Sequence, residues 1–312
     1  MRQPRSVYRR RQATALGGLL ALVVLAVVAI GGGGGGGDDG GAADKAAANE
    51  KPAELPRGGR RIFPDYRVVA FYGAPQDDEL GVLGIGSPRE AARRLERQAR
   101  PYARKTRPVL PAMELIAVIA ANAPGEDNLW RTRQDPRTID RYLRAARRAK
   151  ALLVLDIQPG HSDFLVEARA LERWLREPDV GLALDPEWHT PGVKPGTVIG
   201  SATSQQVNAV SAWLANIVRE ENLPEKLFVV HQFTSDMIQD KERVKPRPGL
   251  AITFNVDGFG DRPNKISKYR DFVAEAPQAH HGFKLFYKED VNLMTPGATL
   301  DLRPPPDLVV YE

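Results

Sequence analysis

Three ionisable side chains stand two residues apart in Asp185-Pro186-Glu187-Trp188-His189, directly after the apolar run Val180–Leu184. In an extended chain that spacing turns all three to one side. Two neighbouring carboxyls suit general acid and base work, provided one keeps its proton and the other stays charged. Glu187 beside the indole of Trp188 is the expected acid, because desolvation raises a carboxyl pKa. Asp185 is expected to orient it or carry the opposite charge, and Asp257 or Glu289 is the expected partner on another strand. Hydrolysis of a glycosidic bond needs such a pair flanking the scissile bond.

Polar groups recur where other apolar runs end. They are Tyr72, Glu114, Asp156, Gln158, His231, Gln232, Asn255, Lys284 and Tyr287, joined by Trp188 and His189; Tyr311 and Glu312 close the last run. A charge inside an apolar strand is costly unless paired, so these groups form either a buried network or a substrate site. The aromatic members could stack on sugar rings. His189, His231, Asp185 and Asp257 could instead ligate a metal, although the first strand lacks an H-x-H pair. The sequence calls for no metal and no cofactor: G-x-G-x-x-G after the first strand, G-x-S-x-G and P-loop motifs are all missing.

Eight β-rich runs must carry these groups: Arg67–Tyr72, Val109–Leu115, Leu152–Ile157, Gly181–Asp185, Leu227–Phe233, Leu250–Val256, Phe283–Tyr287 and Leu308–Tyr311. Helical patterns alternate with them over Pro88–Lys105, Thr138–Lys150, Ser162–Arg176, Ser204–Glu221, Ser235–Lys245 and Asn264–Ala276. Strand–helix alternation implies parallel strands joined by right-handed crossovers, and eight of them close into a (β/α)8 TIM-type barrel. An open doubly wound sheet is the alternative. The active site of such a barrel lies at the C-terminal ends of its strands, where the polar groups fall. His280-His281 precedes the seventh run and is expected at the surface.

The segment Leu184-Asp185-Pro186-Glu187-Trp188 resembles the D-x-E at the end of the fourth strand of chitinase-type and muramidase-type glycoside hydrolase barrels. The resemblance implies that Glu187 is the acid and that Asp185 supports the reaction. It covers only these residues. Val180 and Ala183 replace the further aspartates of the chitinase pattern, and Tyr72 stands where the muramidase pattern has an aspartate. The Arg/Ala-rich composition with an apolar N-terminal segment also resembles an exported actinobacterial protein, which implies no activity.

The chain of 312 residues carries a net charge of +5 and no cysteine, so disulfides and a Cys nucleophile are excluded. Residues 1–61 hold ten Lys/Arg and five Asp/Glu, which leaves 34 of each for residues 62–312. A neutral body argues against a nucleic-acid partner. Residues 1–12 read as a basic cytoplasmic tail. Ala13–Ile30 is an apolar run of 18 residues without charge, expected to anchor the chain in a membrane or to act as a cleaved signal. Residues 31–61, opening on seven glycines, read as a flexible tether to a barrel over 62–312. The expected function is a tethered extracellular glycoside hydrolase acting on an envelope or environmental glycan; the alternatives are a silent glycan-binding barrel and, behind it, a metal-dependent hydrolase. The expected ligand is a glycan or another small molecule at the barrel mouth.

Overall fold

The computed structural model describes residues 52–312. The basic tail, the apolar segment 13–30 and most of the tether lie outside the described residues, and so does the expected membrane attachment. Among the described residues no helix is long and apolar enough to cross a membrane.

Eight parallel strands close into a barrel: β1 (Arg67–Gly73), β2 (Val109–Ala120), β3 (Leu152–Ile157), β4 (Val180–Leu184), β5 (Lys226–Gln232), β6 (Leu250–Val256), β7 (His280–Leu285) and β8 (Leu308–Tyr311). Each pairs with its sequence neighbours, and β1 pairs with both β8 and β2, which shuts the sheet. Closure leaves no barrel strand with an open edge. An open doubly wound sheet is thereby excluded. β2 runs five residues beyond its expected end and pairs antiparallel with the short strand Arg131–Arg133.

Alternation along the strands builds two cores. Residues facing out, such as Val69, Leu153, Leu182 and Phe228, pack under the helices. Residues facing in, such as Val68, Ala70, Ala112, Val154, Ala183, Val229 and Val310, fill the lumen. Leu55, Ile62 and Phe63 join that inner core and seal the N-terminal end of the barrel. Glu225 fixes this plug by accepting hydrogen bonds from the backbone N–H of Ile62 (2.6 Å) and Phe63 (3.2 Å).

The helices are α1 (Pro88–Ala99), α2 (Pro136–Arg148), α3 (Phe164–Ala170), α4 (Glu172–Leu175), α5 (Ser204–Glu220), α6 (Arg262–Ala274) and α7 (Pro296–Leu300). Their starts carry the expected signals. Ser87 and Thr203 form capping boxes with Glu90 and Gln206, and Asp135 caps α2. α1 stops before Pro101 and continues as a 3-10 turn over Arg100–Tyr102.

Two expectations are corrected. Ser235–Lys245 forms no α-helix; it holds a two-residue strand, Ile238–Gln239, and a 3-10 turn, Lys241–Arg243. Lys241 is drawn inward to donate to Gln232 Oε1 (2.6 Å) and the Phe272 carbonyl (2.8 Å), which ties the segment to β5 and α6. The seventh strand starts at His280, so His281 is buried within it rather than at the surface.

Burial, then the charges of Lys241 and His280, lowers the His281 pKa from 6.5 to about 4. A base with a depressed folded pKa contributes stability above 6.5 that is lost as pH falls toward 4. The slope for one proton is about 1.4 kcal/mol per pH unit. Replacing His281→Leu is expected to flatten the fall of unfolding free energy across that window. Denaturant titrations at several pH values check this, and an unchanged slope contradicts it.

Candidate active site

Six of the eight strands carry a polar side chain at the C-terminal mouth of the barrel, and three more groups follow strand ends. β1 gives Tyr72, β2 Glu114, β3 Asp156, β5 His231, β6 Asn255 and β7 Lys284. Asp185 follows β4, Asp257 follows β6 and Glu312 follows β8, each just past the strand end. Alternation selects most of them, because Tyr72, Glu114, Asp156, Asp185, His231 and Glu312 each lie two residues beyond an apolar lumen residue, as Asp156 follows Val154 and His231 follows Val229. They are almost wholly withdrawn from solvent: Glu114 is 1% exposed, Asp156 0%, His231 1% and Lys284 2%.

The contacts form one network. His231 Nε2 lies 2.9 Å from Glu114 Oε1 and 4.0 Å from Asp156 Oδ1. Its Nδ1 lies 3.3 Å from Asp257 Oδ2 and 3.2 Å from Asn255 Nδ2. The Lys284 ammonium bridges Asp257 Oδ2 (2.9 Å) and Glu312 Oε2 (2.7 Å) and sits 3.8 Å from the centre of the Tyr72 ring. The Tyr72 hydroxyl donates to Asp156 Oδ2 (3.0 Å), stands 3.5 Å from Asp185 Oδ2 and accepts from Gln158 Nε2 (3.0 Å).

Electrostatics follow from this enclosure. Desolvation, then the neighbouring Asp185 charge, raises the Asp156 pKa well above the usual carboxyl range. Desolvation also raises Asp185, against the pull of His231 and Lys284. Burial opposes a charge on His231, but Glu114 and the hydrogen bonds to Asp257 and Glu114 outweigh it and hold its pKa well above 6.5. The Tyr72 hydroxyl is raised in turn by burial and by Asp156.

Outer groups hold the ring in place. Lys265, buried, donates to both Asp290 oxygens (2.8 and 2.7 Å) and to the Lys284 carbonyl (2.8 Å). Asp290 in turn accepts from the backbone of Gly260 (3.1 Å) and Phe286 (3.0 Å). One ion pair thus joins the loops after β6 and β7, which carry Asp257 and follow Lys284.

The structure turns His189, Gln232 and Tyr287 away from the ring and keeps Glu187 and Trp188 at its mouth. β4 ends at Leu184, and Pro186–Trp188 forms a 3-10 turn, closed by the His189 N–H on the Pro186 carbonyl (3.0 Å). Proline's fixed φ bends the chain at the point where an extended spacing is needed. The extended two-residue spacing is therefore broken, a correction to the sequence reading: His189 turns away, while Asp185 and Glu187 still line one cavity. His189 Nδ1 is 2.7 Å from the Ser201 carbonyl, and its ring packs on Phe164. Gln232 faces out of the lumen to Lys241 and Glu275. Tyr287 stacks on Tyr311 and donates to Gln98 (2.9 Å). Glu187 and Trp188 stay at the mouth, where they line a cavity with Tyr72, Asp185, Asp257 and Lys284. Glu312, which the sequence places only at the end of the eighth run, lines it too.

That cavity measures about 40 Å³. It has room for about three waters, whereas sites for larger ligands run to roughly 300 Å³ or more. The expectation of a glycoside hydrolase, or of a silent glycan-binding barrel, is corrected on this ground. A space of that size does not enclose a sugar ring, and Asp257, offered as the second carboxyl, is held by Lys284 and His231. The expected ligand set of His189, His231, Asp185 and Asp257 is also not assembled. Among the described residues the group with metal-ligand spacing is Glu114, Asp156 and His231.

No family model and no curated protein matches this sequence. Solved structures similar to the chain include 2,3-dimethylmalate lyase, a PEP mutase/isocitrate lyase superfamily member. That match has 8% identity over 80% of this chain and 77% of the other, with a TM-score of 0.45. Sialic acid aldolase of Ruminococcus gnavus is 14% identical over 79% and 68%, with a TM-score of 0.40. 7,8-Dihydropteroate synthase from Vibrio fischeri is 10% identical over 80% and 87%, with a TM-score of 0.40. None of these three is a glycoside hydrolase, and at this likeness none assigns a role to any residue.

A carboxyl whose folded pKa is raised contributes stability at low pH that is lost as pH rises through the folded value. Asp185→Asn keeps an acceptor for Tyr72 and removes that loss. It is expected to stabilise the protein by roughly 1 to 3 kcal/mol at pH 8, with the gain shrinking toward pH 4. Lys284→Met leaves Asp257 and Glu312 without their shared cation and is expected to cost about 3 to 5 kcal/mol. Thermal unfolding across pH checks both signs.

Proposed function

We propose that the chain is an enzyme that moves a proton next to a carbonyl group in a molecule of a few heavy atoms. One observation carries this reading: a buried carboxyl, Asp185, and a buried ammonium, Lys284, line the same small cavity at the C-terminal mouth of the barrel. Acid–base work needs a group whose pKa lies near working pH, and desolvation has moved Asp185 upward. Ionised, Asp185 takes a proton from the carbon beside the carbonyl. The negative charge that develops on the carbonyl oxygen faces Lys284, held in place by Asp257 and Glu312. A fixed cation in a dry site stabilises such charge far better than water does. The Tyr72 hydroxyl completes a proton path between Asp185 and Asp156. The same step opens isomerisation, carbon–carbon cleavage or its reverse.

The test is solvent exchange. Pyruvate and its short homologues, incubated with the protein in deuterated buffer, are expected to gain deuterium beside the carbonyl, read by NMR. Asp185→Asn is expected to lower that rate by about 100- to 10,000-fold while the folded protein becomes more stable, which separates lost chemistry from lost structure. Tyr72→Phe is expected to lower it less. Exchange no faster than in buffer for the whole panel, or an Asp185→Asn rate equal to wild type, overturns the reading.

A further inference from the structure

We infer that Glu114, Asp156 and His231 form a binding site for one first-row divalent cation, placed just beneath the cavity. The inference does not depend on the proton-transfer reading, since a cation held there would bind with or without turnover.

Three observations support it. The first is an unused acceptor. Asp156 is fully buried, its Oδ2 is taken by Tyr72, and its Oδ1 has no hydrogen-bond partner. A buried acceptor left unmatched costs about 1 to 3 kcal/mol. This oxygen lies 4.0 Å from His231 Nε2, which is itself 2.9 Å from Glu114 Oε1. One ligand atom from each of the three residues falls within 4.8 Å of the other two. A cation between them would take the place of the proton now shared by Glu114 and His231.

The second is how His231 is held. A metal-bound histidine generally directs its other ring nitrogen at a carboxylate or a carbonyl, which fixes the tautomer and the ring plane. His231 Nδ1 faces Asp257 Oδ2 at 3.3 Å, and Asp257 is fixed in turn by Lys284 and by the Gly258 N–H (2.6 Å). Asp257 is thus a positioning residue for the ligand, with Nε2 left for the ion.

The third is charge. The ring gathers the carboxyls of Glu114, Asp156, Asp185, Asp257 and Glu312 around two basic groups, Lys284 and His231. A dry site with an excess of acids favours a cation over none. Two oxygens and one imidazole nitrogen suit Zn(II) or Mn(II) better than Mg(II), which prefers oxygen and water alone.

The experiment uses the full chain, stripped with a chelator and titrated with Mn(II), with free ion read by electron paramagnetic resonance, and then with Zn(II) by calorimetry. One equivalent of either ion is expected to bind and to raise the thermal transition. Asp156→Asn is nearly isosteric and is expected to keep the fold by circular dichroism while weakening binding at least tenfold. His231→Gln is expected to abolish it. Asp257→Asn is expected to weaken it about 10- to 100-fold. Absence of a stoichiometric site for both ions in the wild type overturns the inference. So does an Asp156→Asn protein that binds as tightly as wild type. Should any variant fail to fold, the wild-type stoichiometry and the one-for-one displacement of bound Mn(II) by Zn(II) still decide.

Discussion

Charge enclosed where it cannot be hydrated governs this molecule. Closing eight strands forces their last inward side chains into one small volume, and here nearly all of those side chains are polar. Two unit charges 4 Å apart interact about four times more strongly near a protein surface than in water. No member of the ring can therefore be set independently of the others. Glu114 and Asp257 hold the His231 pKa up against burial. Burial, and then the nearby Asp185, pushes the Asp156 pKa upward. Lys284 stands between two acids that would otherwise repel. The plug of Leu55, Ile62 and Phe63 at the other end completes the enclosure by keeping water out of the lumen from below.

Such a mouth does not stabilise the fold. Buried ion pairs seldom repay their desolvation, and apolar residues of similar volume would pack there without penalty. The inner core below the ring shows the contrast, with Val, Ala, Leu and Ile at the equivalent positions of the lower layers. Strain of this kind concentrates where function needs it. The Lys265–Asp290 pair is a different case. Neither residue lines the cavity, but the pair holds Lys284 by its carbonyl and ties together the segments that follow β6 and β7, so it sets the precision of the site from outside.

Much of this was legible in the sequence. Asp156, His231 and Lys284 each interrupt an apolar run, and the cost of burying them marks them without any structure. The barrel follows from the strand–helix alternation. What failed did so for identifiable reasons. Asp185-Pro186-Glu187 was read as extended, but a proline after a strand end starts a turn and breaks the two-residue period. Gln232 adjoins His231, and one step along a strand reverses the side, so it belongs to the outer layer with Lys241. Glu312 follows Val310 by two, so the period that selects Asp156 also selects Glu312. Cavity size left no trace in the sequence, because the space is set by how closely Tyr72, Lys284 and Trp188 approach one another. A glycan was therefore expected where only a few atoms fit. The helix expected over Ser235–Lys245 failed because a buried contact of Lys241 outweighed local propensity.

The central claim is that protons, or a cation in their place, balance the acids enclosed by the ring. Neutron diffraction from deuterated, chelator-treated crystals near neutral pH observes this directly. Deuterium is expected on both ring nitrogens of His231 and on a carboxyl oxygen of Asp156 or Asp185. A map showing both of these carboxylates bare, with His231 carrying a single deuteron and no cation among them, would contradict it.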